Sequence, residues 1–218
     1  MIKGWSYFSE LGEMVVPEGT IVKNEPMFFQ ATIEKARAEG GPITNAFLDA
    51  CSKYISTTAE GLHVFLDSRI HMLMPGWYPC IPGWHHDDVE RSRSDGQPNY
   101  HDASYAPFFM MALHGDAMCP TEFATGYFEY EEPALGRVIY QDLHPQVEQD
   151  VKDGALDLEK AKYDTVYQFD DRSWHQGTAC RKGGWRWFGR LTFANPLTPA
   201  NEIRTNANVY LVDPFKGW

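Results

Sequence analysis

From Leu62 onward the chain is written in short runs in which apolar and polar residues alternate, each closed by Pro, Gly or a polar cluster. In an extended strand successive side chains take opposite faces, so every such run can bury one face and wet the other. Runs of this kind occupy Leu62 to Leu66, Ile70 to Met74, Phe108 to His114, Phe123 to Tyr130, Arg137 to Tyr140, Thr165 to Phe169, Trp185 to Phe193 and Asn208 to Val212, with Pro75-Gly76 and Pro82-Gly83 as punctuation. Strands this short and this frequent predict a sandwich or barrel and argue against a doubly wound parallel sheet.

The first sixty residues read differently. Phe29, Ile33 and Ala36 share a helical face over residues 28 to 39, and Gly40-Gly41 supply a stop. After Pro42, Thr44 or Asn45 can cap a second helix carrying Phe47, Leu48, Cys51, Tyr54 and Ile55. The expectation is a helical layer over about 1–60 packed on a β core over about 61–213, in one domain of 218 residues. Gln146 to Lys162, rich in Asp, Glu and Lys, reads as a solvated helix or insertion without a binding role.

A formal net charge of −11 repels a phosphate backbone, which disfavours nucleic acid as a partner. No apolar stretch approaches a membrane span and the N-terminus lacks a signal-like apolar region, so a soluble, cytoplasmic protein is expected. Cys51, Cys80, Cys119 and Cys180 lack C-x-x-C spacing and read as free thiols of a reducing compartment.

The chemistry concentrates in Trp84-His85-His86-Asp87-Asp88. Alternation puts His85 with Asp87 on one face and His86 with Asp88 on the other, so either pair can grip a metal. The first register is favoured because it leaves Trp84 free to pack inward, and the second stays open. His175 is the candidate third ligand, and two His with one carboxylate is a donor set suited to non-heme Fe(II). Downstream, Arg186 and Arg190 lie four apart on one strand, on one face, where buried guanidiniums require an anion unless both pair with surface carboxylates.

His85, Asp87 and His175, followed by Arg186 and Arg190, resemble the signature of the 2-oxoglutarate and Fe(II)-dependent dioxygenases, H-x-D/E with a distal His and a later Arg. The double-Arg spacing is similar to the taurine dioxygenase branch, and the short chain to phytanoyl-hydroxylase-like, phage or environmental oxygenases. The resemblance implies a mainly β (α+β) fold, a double-stranded β-helix or cupin-like jelly roll with the N-terminal helices packed on it. It further implies Fe(II) held by His85, Asp87 and His175, with 2-oxoglutarate as co-substrate and O2 as oxidant. Its distal carboxylate would meet Arg186, with Arg190 at the C1 carboxylate or exchanging roles and Thr121 assisting. The implied reaction is hydroxylation of a C–H bond in a small, polar substrate, with release of succinate and CO2.

Trp77, Tyr78, Trp84, Tyr100, His101 and Tyr105 flank the first ligand pair as candidate pocket residues, and the polar segment Arg91 to Tyr105 reads as a lid. Two other readings compete. A metal-binding cupin of another reaction class would recruit further ligands from His63, His71, His101, His114 or His144 and would not need the arginines. A non-enzymatic interaction module would carry the motif in degenerate form. H-E-x-x-H, phosphate-loop and nucleophile-elbow motifs are absent. Neither the primary substrate nor the oligomeric state is written in the sequence.

Overall fold

Alternating runs need partners for their backbone groups, and in this chain they find them almost entirely by antiparallel pairing. The computed structural model describes residues 1–58, 61–195 and 198–211. Its elements are β1 (Ile2–Ser6), β2 (Ser9–Glu13), β3 (Met27–Phe29), β4 (Ala31–Thr32), α1 (Ile33–Glu39), α2 (Pro42–Thr58), β5 (His63–Leu73), β6 (Phe108–Gly115), β7 (Thr121–Tyr130), α3 (Ile139–Asp153), β8 (Asp157–Lys160), β9 (Thr165–Asp170), β10 (Trp174–Gly177), β11 (Gly184–Ala194) and β12 (Glu202–Arg204). The fold is mainly β with few helices. A six-stranded sheet runs β2-β9-β6-β11-β5-β4, a second sheet gathers β1, β8 and β10 around β7, and β12 pairs with β3.

The period of two assigns the faces of the large sheet. Leu66, Met110, Ala112, Val166, Trp187, Leu191 and Phe193 join Phe47, Leu48 and Cys51 of α2 in one buried cluster. On the opposite face Phe109, Met111, Leu113, Tyr167 and Phe169 meet Phe123 of the second sheet. Phe8 stacks between Phe123 and Tyr167, with ring centroids at 3.9 and 4.2 Å. Each fully buried aromatic contributes on the order of 2 kcal/mol, so these two layers supply much of what orders the strands. The far side of the second sheet packs Trp84, Phe128, Tyr130 and Trp174 against Ile139, Tyr140, Leu143 and Val147 of α3.

Several expectations change. Residues 2–6 and 9–13 are strands, so the first sixty residues are not simply helical. The first helix starts at Ile33, with Thr32 as its cap, because Met27 to Phe29 are taken by pairing with β12. The runs expected at Leu62 to Leu66 and Ile70 to Met74 fall, but for their outer residues Leu62 and Met74, in one continuous strand, β5, whose polar middle Asp67-Ser68-Arg69 looks like a break only in sequence. Arg137 to Tyr140 is not a strand. It leads into α3, where Ile139, Tyr140, Leu143 and Val147 recur at helical spacing and Gln97 Oε1 accepts the Ile139 N–H at 3.2 Å. Of Asn208 to Val212, only Tyr210 pairs, with Tyr78, and Val212 lies outside the described residues. No described helix is long and apolar enough to cross a membrane.

The cap of α2 also differs from expectation. Pro42 takes the first helical position, where its missing N–H costs nothing, so Thr44 and Asn45 lie inside the helix. Glu25, 6% exposed, caps it from outside: its carboxylate accepts the Ile43 N–H at 2.6 Å, the Thr44 N–H at 3.3 Å and the Thr44 hydroxyl at 2.9 Å. Glu25→Ala should therefore destabilise the protein by about 1–3 kcal/mol, read as a lowered urea midpoint at unchanged slope. An unchanged midpoint would show that α2 does not depend on this cap.

Candidate metal centre and its pocket

The turn at Gly83, with φ of 108°, sends the chain alongside β10. There His85 N–H donates to the His175 carbonyl at 3.0 Å and His175 N–H donates to the His85 carbonyl at 3.1 Å. This doubly hydrogen-bonded pair puts both imidazoles on one side of the ladder, ring centroids 4.5 Å apart. Asp87, two residues on, returns to that side. Its carboxylate lies 3.9 Å from His85 Nε2 and 3.4 Å from His175 Nε2. Among the described residues these three form the one group of His, Cys, Asp and Glu whose ligand atoms converge, all within 4.8 Å of one another.

Each imidazole is oriented from behind. Nδ1 of His85 faces the Gly83 carbonyl at 2.7 Å and Nδ1 of His175 faces the Ser173 carbonyl at 2.9 Å. A carbonyl only accepts, so both Nδ1 atoms carry the proton and both Nε2 lone pairs point toward Asp87. Burial, reinforced by His175, pushes His85 down to about 4, which keeps it an unprotonated donor at neutral pH. Burial alone would raise the Asp87 carboxyl, but Arg190, then His175 and His85, outweigh it and hold the group well below the usual carboxylate range.

The other register does not assemble. The His86 ring lies against Trp174, centroids 3.7 Å apart and planes tilted by 34°, and its Nδ1–H reaches the Tyr100 hydroxyl at 2.8 Å. Tyr100 donates to Tyr140, which donates to the His86 carbonyl at 3.0 Å, so the chain of bonds closes on the residue where it began. Asp88, in a left-handed conformation (φ 53°), turns away to Arg190 Nη2 at 2.9 Å.

The two arginines do share a face, and they have different partners. Arg190 Nη1 donates to Asp87 at 2.5 Å while Nη2 serves Asp88, and its guanidinium lies over Phe109. Arg186, 3% exposed, donates through Nη2 to Thr121 Oγ1 at 3.3 Å; its Nε has no partner and no carboxylate of the described residues pairs with it. Thr121 is itself buried at the start of β7.

These groups line a cavity of about 520 Å³. Its walls are the inward faces of β5 and β11, closed by Met111, Phe169 and the loop from Asp87 to Arg91. Of the six aromatic candidates only Tyr105 lines it. Trp84 and Tyr100 are buried behind the second sheet, Trp77 packs near Leu73 and Cys180, Tyr78 pairs with Tyr210, and exposed His101 bonds Glu132. In the segment expected as a lid, Arg93 pairs with Asp95 and Glu132, and Arg172 lies over Tyr100. His114 pairs with Asp164 and His144 accepts the Trp84 N–H, so neither joins the ligands. Sequence reasoning missed Asp67, Arg69 and Arg204. The signal was present, since the polar interruption of β5 at Asp67 and Arg69 falls on its inward positions.

No protein-family model matches this chain, and no curated sequence matches it. Among solved structures, EvdO2 from Micromonospora carbonacea var. aurantiaca is similar over 90% of this chain and 79% of its own, with 13% identity and a TM-score of 0.45. The same protein complexed with 2-oxoglutarate gives 12% identity and a TM-score of 0.43 over the same shares. A likeness this distant carries no argument about activity, which rests on the side chains described above.

Two outcomes are expected. His85→Ala, Asp87→Ala and His175→Ala should each abolish stoichiometric Fe(II) or Co(II) binding, whereas His86→Ala should retain it while losing about 2–4 kcal/mol of stability. Retained metal in the first set, or its loss only with His86, would assign the ligands to the other register. The second concerns pH in the metal-free protein. Burial, then Arg186 and Arg69, lowers His71 to about 3, and His85 is lowered to about 4, while both titrate near 6.5 when unfolded. Between those values the unfolded chain binds more protons, so stability should fall as pH drops from about 6.5 toward 4, by roughly 3 kcal/mol per group. Urea midpoints across that window should fall less steeply in His71→Phe, and equal slopes would contradict the assignment.

Proposed function

We propose that this chain is an Fe(II) and 2-oxoglutarate-dependent dioxygenase that hydroxylates a C–H bond of a small polar substrate, releasing succinate and CO2. In this reading the two sheets are the halves of a double-stranded β-helix, and residues 1–218 act as one domain. The observation that carries it is Arg186: a guanidinium 3% exposed, with no carboxylate partner among the described residues, one hydroxyl contact to Thr121, and a place in the same pocket as the His85, Asp87 and His175 cluster. A buried unpaired cation is costly unless an anion arrives, and a planar fork beside a hydroxyl suits a carboxylate.

The donor set fits the metal. Two imidazole Nε2 atoms and one carboxylate leave coordination positions open, as Fe(II) oxygenase sites require. When bound, Fe(II) with 2-oxoglutarate supplies the oxidising chemistry. The chain's own residues do the rest. Gly83 and Ser173 carbonyls hold the imidazole tautomers, and Arg190 keeps Asp87 ionised and aimed. That assigns Arg190 to the ligand carboxylate instead of the co-substrate. Arg186 and Thr121 receive the distal carboxylate, and Phe169, Met111 and Phe188 line the cavity with apolar surface that limits water. The cupin alternative leaves Arg186 without a purpose; of its extra histidines only His71 lines the pocket, and its ring nitrogens do not converge with the three ligand atoms.

The test is anaerobic titration of the Fe(II)-loaded protein with 2-oxoglutarate, followed by the weak visible charge-transfer band. Wild type should develop the band. Arg186→Ala should bind roughly 100-fold more weakly and Thr121→Val roughly 10-fold more weakly. Iron bound with no band, or equal affinity in Arg186→Ala, would overturn the reading.

A further inference from the structure

The inward faces of β5 and β11 form a grid of opposed pairs: Phe65 with Thr192, Asp67 with Arg190, Arg69 with Phe188 and His71 with Arg186. Charge is balanced at one end of it. Arg190 is met by Asp87 and Asp88, and Asp67 by Arg204 at 2.9 Å, which also donates to the Phe28 carbonyl and lies over Phe29. At the other end Arg69 and Arg186 both act on buried His71, and neither has an ion-pair partner among the described residues. Arg69 lines the pocket as an exposed side chain and makes no ion pair or side-chain hydrogen bond among the described residues.

Arg186 is buried and Arg69 is exposed where it lines the pocket, so two guanidiniums beside a neutral imidazole, without a counter-ion, give this corner a positive potential that attracts anions. If the proposed function holds, the distal carboxylate of 2-oxoglutarate answers Arg186 and Thr121, and Arg69 remains. Room remains too, since a five-carbon diacid fills only part of a cavity of about 520 Å³. We propose that Arg69 receives an anionic group of the primary substrate, which is then a small molecule bearing a carboxylate, sulfonate or phosphate. Consecutive inward positions on a strand lie about 7 Å apart, so Arg69 stands one such step from Asp67, whose cross-strand neighbour Arg190 holds the ligand Asp87. The anion and the oxidised carbon are therefore separated by a short chain. The overall charge of −11 works against large polyanions and leaves small ones to this local patch. Glu90, in the loop that closes the pocket, has no ion-pair partner among the described residues and serves as the control position.

The inference rests on the proposed function for the word substrate, and the experiment separates the two. Protein loaded with Co(II) and saturated with 2-oxoglutarate is titrated calorimetrically with butyrate, butane-1-sulfonate, butyl phosphate and, as neutral control, n-butanol. At least one anion should bind and n-butanol should not. Arg69→Gln should weaken that anion about tenfold or more, Arg69→Lys should restore part of it, and Glu90→Gln should not weaken it, while all three keep wild-type affinity for 2-oxoglutarate. Anion binding unchanged in Arg69→Gln, no anion binding at all, or loss of 2-oxoglutarate affinity in Arg69→Gln to the level of Arg186→Gln would each overturn the inference. Should 2-oxoglutarate itself fail to bind wild type, the oxygenase reading falls, and the same titrations on the metal-free protein decide the Arg69 site alone.

Discussion

Two main-chain hydrogen bonds between His85 and His175 hold together everything that gives this molecule chemistry. They join a segment without regular structure, between β5 and β6, to the free edge of β10, which is itself fastened to β7 by the pairing of His175 with Phe123. Because residues exchanging both hydrogen bonds put their side chains on the same side, that one contact converts ninety residues of sequence separation into adjacent imidazoles. Asp87 then follows by alternation, and Arg190 reaches it from the opposite sheet. The site is thus a clasp between the two sheets.

The large sheet spends its inward face in two ways. On β6 and β9 it is apolar, and Phe109, Met111, Phe169 and Tyr167 weld the sheets through Phe123 and Phe8. On β5 and β11 it is polar, and the sheets stand apart around a cavity. The polar half is costly. His71 and Arg186 keep buried nitrogens without hydrogen bonds of good geometry, which a protein selected for stability alone would replace with apolar side chains. That expense is concentrated where a ligand would recover it, while the outward face of the same strands, with Trp187, Leu191 and Phe193 under α2, carries the stability.

Much of this was legible beforehand, and the failures have physical causes. The strands from Phe108, Phe123, Thr165 and Trp185 were readable because alternation of large apolar residues has few other solutions. Arg137 to Tyr140 misled because β-branched residues before a tyrosine suit a strand locally, and only the apolar face continued by Leu143 and Val147 makes them the start of a helix. The apparent break in β5 is a polar stretch within one strand, where Asp67 and Arg69 face a pocket. Tyr100 and Trp84 lie close to the ligand pair in sequence, yet alternation sends Trp84 to the far side of the second sheet with His86, and Tyr100 joins them there through its hydroxyl bond to His86.

By itself the sequence determined the donor types, their order, and the sharing of one strand face by Arg186 and Arg190, because those follow from covalent spacing and a period of two. What it could not decide was which histidine of the pair joins His175, which arginine is already neutralised, and that Arg69 and Arg204 reach the same cavity. Those depend on which strand edges meet and on where the opposing carboxylates come to rest. Long-range pairing decides such matters, and a one-residue change of register would exchange every answer.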